Sequence, residues 1–108
     1  MPKRVDQNHQ TIVRALRAVP GCTVVSLADL GRGCPDLLVG YGGISVLLEV
    51  KGEKGKLNPM QEAWHRRWTG EPVVIIRTIQ DVEKLIANMT TLIEAFGKGI
   101  AENQETHD

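Results

Sequence analysis

Asp36, Glu49 and Lys51 are charged residues set inside two apolar runs, Pro35-Asp36-Leu37-Leu38-Val39-Gly40 and Val46-Leu47-Leu48-Glu49-Val50-Lys51. Burying a charge within a strand is costly without a partner. Glu49 and Lys51 are two residues apart, so in an extended chain they project from one face. Two carboxylates offer hard oxygen donors of the kind Mg²⁺ takes, with waters and a substrate phosphate completing its shell. A lysine on the same face is placed to act on that phosphate or on an attacking water.

The segment between the runs fixes how they meet. Gly42-Gly43 is a two-residue hairpin signal, because both central positions of a type I′ turn need positive φ. A hairpin centred there sets Tyr41 against Ile44 and, carried outward, Asp36 against Glu49 on the face of Lys51. Like charges directly opposed in an antiparallel pair, about 4.5 to 5.5 Å apart, are destabilising. The register therefore calls for a cation.

Around this hairpin the periodicities predict further elements. Ile12, Val13, Leu16 and Val19 recur at helical spacing, which predicts a helix over residues 6–18 with Asp6 as N-cap, ended by Pro20-Gly21. Cys22 to Leu27 reads as a strand. After the polar stretch Gly52 to Leu57, Asn58-Pro59 opens a helix to Trp68, and Thr69-Gly70-Glu71-Pro72 stops it. Val73 to Arg77 is another strand. Thr78 caps a last helix whose Val82, Leu85, Ile86, Met89, Leu92, Ile93 and Phe96 form an apolar stripe. The expected order is α-β-β-β-α-β-α, an α/β fold with a mixed sheet flanked by helices. The apolar strands imply cover on both sheet faces. Residues 1–96 are expected to form one domain, and 97–108 a flexible polar tail.

Composition narrows the classes. A chain of 108 residues suits a single core, and 42% hydrophobic content argues against disorder. No apolar run reaches the length of a membrane span, and Met1-Pro2-Lys3-Arg4 leads into polar sequence, so a soluble, intracellular protein is expected. Cys22 and Cys34 have neither CxxC nor zinc-ligand spacing and read as idle thiols. Net charge is zero, which removes a global basic footprint. Locally, Arg32, Lys51, Lys54, Lys56, Arg66 and Arg67 either rim the carboxylates or belong to solvated surface.

Pro35-Asp36 followed by Glu49-Val50-Lys51 resembles the PD-(D/E)XK nuclease signature. The fuller string Gly33 to Gly40, with Leu48 to Lys51 and Leu57-Asn58-Pro59-Met60-Gln61, is similar to the VRR-NUC family of small stand-alone phage nucleases. The similarity spans about Val5 to Ile86. It implies a restriction-endonuclease-like core and a Mg²⁺- or Mn²⁺-dependent DNA endonuclease, cytoplasmic in the host. Asp36, Glu49 and the Val50 backbone carbonyl would hold metal, and Lys51 and Gln61 would serve catalysis. Arg32, Lys54, Lys56 and His65 would approach DNA. Small relatives look like dimeric Holliday junction resolvases, which implies branched or duplex DNA as substrate and a homodimer; a generic or restriction-type DNA endonuclease, or a catalytically inactive nucleic-acid-binding module of the same fold, are the alternatives. The family's first helix usually adds an acid, for which Asp6 is the candidate here.

Some roles stay double. Asn58-x-x-Gln61 is also a capping box. His65, one turn on, faces the same way as Gln61 or is an ordinary surface histidine. Trp64 and Trp68 read as the core-facing stripe of their helix, with a base-stacking platform as the alternative.

Overall fold

The Gly42-Gly43 turn is the seed of a four-stranded mixed sheet. Both glycines take positive φ, 59° and 88°, and the hairpin pairs Tyr41 with Ile44, Gly40 with Ser45, and so outward to Leu37 with Leu48. The computed structural model describes the backbone of residues 7–105 and the side chains of residues 7–96. Its elements are α1 (His9–Arg17), β1 (Cys22–Ser26), a short 3₁₀ turn (Ala28–Leu30), β2 (Leu37–Tyr41), β3 (Ile44–Val50), α2 (Pro59–Arg67), β4 (Val74–Ile76) and α3 (Ile79–Glu105).

The strands lie in the order β1-β2-β3-β4. The first three are antiparallel, whereas β4 runs parallel to β3. Parallel neighbours need a crossover, and the segment carrying α2 makes it. Alternation then sorts the side chains. Leu37, Val39, Leu48, Val50 and Ile76 point to the face packed with Ile12, Val13 and Leu16 of α1 and Val82, Leu85 and Met89 of α3. Each such side chain contributes about 1.5 to 3 kcal/mol by leaving water.

Cover on both faces was expected, and the second face does not have it throughout. Val25, Leu38 and Ile75 are exposed there, while Glu49 on the same face is fully buried. The apolar strands misled because their outward residues meet no second helical layer along most of their length. α2 reaches only the end that carries Glu49.

The helix ends also differ from expectation. α1 starts at His9 with Asn8 as its N-cap; Asp6 lies outside the described residues. Its last turn carries Arg14 and Arg17, which favour the negative end of the helix dipole. α3 opens on a reciprocal cap, with the Asp81 N–H donating to Thr78 Oγ1 and the Thr78 N–H to Asp81 Oδ2, each at 3.1 Å. Its backbone is helical beyond Phe96, to Glu105. Leu92 and Phe96, expected in the apolar stripe, are 49% and 63% exposed, whereas Ile93 between them packs against the Gly42 turn. No helix among the described residues is long and apolar enough to cross a membrane.

Candidate active site

Asp36 sits at the bend just before β2 and is 6% exposed. The hairpin register is kept as far as Leu37 and Leu48 and then breaks. The Asp36 N–H donates to the Leu48 carbonyl at 3.0 Å, and the Asp36 carbonyl accepts from the Leu27 N–H at 2.8 Å. The two acids are therefore not a ladder pair, as the extended register required. Asp36 instead turns its carboxylate onto the backbone of β3, where Oδ2 accepts the Val50 N–H at 2.8 Å. A charged acceptor makes this a strong bond.

Glu49 projects from β3 on the face opposite Leu48 and Val50, and α2 closes over it. Gln61 Nε2 lies 3.5 Å from Oε2, a long contact, and His65 Nε2 lies 3.3 Å from Oε1. Lys51 follows two residues later. Its N–H donates to the Ile76 carbonyl at 3.0 Å, continuing the parallel pairing past β3. Its ammonium donates to Gln61 Oε1 at 2.8 Å.

The helix that supplies Gln61 is placed by its own first turn. Asn58 Oδ1 accepts the Gln61 N–H and Gln61 Oε1 accepts the Asn58 N–H, both at 2.9 Å, with proline at the first helical position. Gly33 brings the Asp36 loop against this turn. Its φ is +84°, and a Cβ there would collide with the Met60 carbonyl. The loop carrying Asp36 and the helix carrying Gln61 thus meet backbone to backbone.

His65 is held below the ordinary imidazole range, first by burial and then by the nearby Lys51 charge. Its Nε2 lies within hydrogen-bond reach of Glu49 Oε1, and the Nε2–H tautomer would donate there.

The structure brings Glu49, Lys51, Gln61 and His65 into one network, with Asp36 joined to it through the Val50 amide. Arg32, Lys54 and Lys56 are exposed. Arg32 stands at φ 54° in the turn before Gly33. Among the described residues no three His, Cys, Asp or Glu side chains come together as a metal-holding group. Mg²⁺ asks for less, since one or two carboxylates with waters suffice. Asp36, Glu49 and the Val50 carbonyl satisfy that donor chemistry. Cys22 and Cys34 form no disulfide, and burial pushes the Cys22 thiol up.

Two positioning residues were missed in the sequence. Asn8 Nδ2 donates to the Lys51 carbonyl at 3.0 Å and to the Arg77 carbonyl at 2.7 Å, tying the start of α1 to the ends of both parallel strands. Arg77 Nη1 donates to the carbonyls of Gly52 and Gly55 at 2.6 and 2.8 Å, folding the segment that carries Lys54 back on itself. An asparagine just ahead of an apolar helical run was a visible signal for Asn8, but Asp6 competed for the cap. Nothing in the sequence singled out Arg77.

Trp64 and Trp68 are not the core stripe expected of α2. Gln61 is the buried residue of that helix, and Trp68 is 43% exposed. The helix turns Gln61 and His65 toward Glu49, so the Trp68 indole falls on the outside and Trp64 is half-buried beside it.

No family model, curated protein or solved structure matches this chain.

Proposed function

We propose that this chain is a metal-dependent endodeoxyribonuclease of PD-(D/E)XK type with a restriction-endonuclease-like core. The observation that carries the reading is a buried glutamate and a lysine two residues apart, both reached by one glutamine of the crossover helix. A lone surface E-x-K would not be built this way.

Asp36, Glu49 and the Val50 carbonyl would hold Mg²⁺ or Mn²⁺. When bound, the ion lowers the pKa of water and offsets negative charge on the phosphate. Lys51, fixed by Gln61, would donate to a non-bridging phosphate oxygen and stabilise charge that grows as water attacks phosphorus. The bond to the 3′ oxygen breaks, that oxygen leaves as a hydroxyl, and the other strand end keeps the 5′-phosphate. The basic residues Arg32, Lys54 and Lys56 would contact the DNA backbone without reading sequence.

Branched DNA is the proposed substrate, in the manner of a junction resolvase. Symmetric incision of a four-way junction needs two sites, hence a twofold dimer. The exposed Leu92 and Phe96 on α3 support self-association. The test offers purified protein a junction, a flap, a linear duplex and a single strand with Mg²⁺, Mn²⁺ or Ca²⁺. Metal-dependent nicking by the wild type, lost in Asp36→Asn and Lys51→Ala, is expected. Cleavage unchanged in both variants sinks the proposed site. Equal cutting of junction and duplex removes the resolvase assignment, and a monomer at micromolar concentration in sedimentation removes the dimer.

A further inference from the structure

We infer that Trp64, Arg67 and Trp68 form a binding site for an unpaired nucleobase of DNA beside the candidate active site. The choice of occupant rests on reading that site as one that takes a DNA phosphate. The two indoles are stacked, with centroids 5.1 Å apart and planes 20° from parallel. Together with Arg67 they line a hollow of about 200 Å³.

Tryptophan is expensive to leave in water, and this pair is not spent on the core. Trp68 is nevertheless fixed. Its Nε1 donates to the Glu71 carbonyl at 2.9 Å, and Gly70 packs so closely that a Cβ there would come within 2.7 Å of the ring. A rigid indole loses little entropy when a flat ring stacks on it. Base stacking on aromatic side chains is tolerant of base identity because every base has a π-face.

Charge and position select the occupant. Arg66 and Arg67 are exposed on the same helix, and their charges complement the phosphates on either side of a stacked base. Trp64 meets His65 edge to face at 6.3 Å, and His65 reaches Glu49 at 3.3 Å. A strand whose phosphate meets the Lys51 ammonium, which Gln61 of the same helix holds, would pass this hollow. Duplex DNA keeps its bases stacked inside, so the hollow rewards an unpaired nucleotide next to the phosphate being cut, as at a branch point or an overhang.

The test places 2-aminopurine in a short single-stranded overhang and compares that DNA with a blunt duplex of equal length, in EDTA so that nothing is cut. Wild-type protein is expected to lower the probe's emission and to bind the overhang on the order of tenfold tighter by anisotropy. Trp68→Ala should abolish the quenching and the preference, with Trp68→Phe retaining part of both. Arg67→Glu, at an exposed position, should weaken the overhang complex should Trp68→Ala fail to fold. Equal affinity of the wild type for both DNAs, or an intact preference in Trp68→Ala or Arg67→Glu, overturns the inference. Nicking in Mg²⁺ is measured separately. Nicking without overhang preference removes the base site alone, and overhang preference without nicking removes the catalytic reading alone.

Discussion

Gln61 holds Lys51: the ammonium donates to Gln61 Oε1 at 2.8 Å, and the same oxygen accepts the Asn58 N–H at 2.9 Å. The bond that closes the cap and the contact with Lys51 therefore share one oxygen. The cap fixes the glutamine rotamer, and the fixed glutamine fixes the lysine. This coupling explains why the crossover helix begins where it does, directly after the loop that leaves Lys51.

The coupling separates two variants. Asn58→Ala removes half of the cap and is expected to cost about 0.5 to 2 kcal/mol of stability. Gln61→Ala removes the return bond of the cap and the partner of a half-buried ammonium, so it should cost about 1 to 3 kcal/mol. It should also slow cleavage by about 10- to 100-fold, the usual scale for residues that orient a site. Urea unfolding and nicking rates on the same preparations check both. Equal loss of cleavage in the two variants would mean that Gln61 acts only through the helix.

Asp36→Asn addresses the acid that leaves the register. An asparagine oxygen can still accept the Val50 N–H, so the bend before β2 should survive, with the melting temperature within a few degrees of wild type. Removing the charge takes one of two carboxylates from the proposed metal site and should lower Mg²⁺-dependent nicking about 100-fold or more. Asp36→Ala leaves the buried Val50 amide without that acceptor and should destabilise by about 1 to 3 kcal/mol. Thermal melts followed by circular dichroism distinguish the two, and retained nicking in Asp36→Asn would exclude this carboxylate from the chemistry.

Local rules made the hairpin and the caps legible. Gly42-Gly43 set a register that holds out to Leu37 and Leu48, and Asn58-Pro59 with Gln61 marked the start of α2. Both are short-range signals with one dominant geometry. What the sequence hid depends on contacts between distant segments. The register breaks at Asp36 because the loop from Leu27 and the backbone of Val50 compete for it, 14 residues away in the second case. Trp64 and Trp68 looked like core because periodicity says which residues share a face, not which face is buried. Asn8 bonds residues 43 and 69 positions away, which no local pattern encodes.

Gly33 carries a requirement that glycine alone meets. Its φ of +84° lies in the left-handed region, and a Cβ would strike the Met60 carbonyl at the start of α2. Gly33→Ala must therefore strain the Asp36 loop or push α2 away from Glu49, at a cost of about 1 to 3 kcal/mol. By contrast, Gly43, also at positive φ, has open space beside it, so Gly43→Ala should carry the left-handed backbone cost alone and destabilise less than Gly33→Ala. Chemical unfolding of the pair checks the contrast. Equal costs would place the Gly33 effect in the backbone dihedral rather than in contact with α2.

Asn8 tests whether α1 positions Lys51. Its amide nitrogen bridges the carbonyls of Lys51 and Arg77, and those strand ends carry the ammonium of the site and the guanidinium that folds the Lys54 segment. Asn8→Ala leaves both carbonyls short of a donor and should destabilise by about 1 to 3 kcal/mol. Asn8→Asp should be worse than Asn8→Ala, because it presents carboxylate oxygens to two carbonyls instead of an N–H donor. The ordering is informative, since loss of packing alone would make the smaller alanine the more damaging change. Urea midpoints at neutral pH rank the two variants, and nicking rates at a temperature where both are folded show whether the tie reaches Lys51. An Asn8→Asp protein as stable as wild type would rule out the bridge.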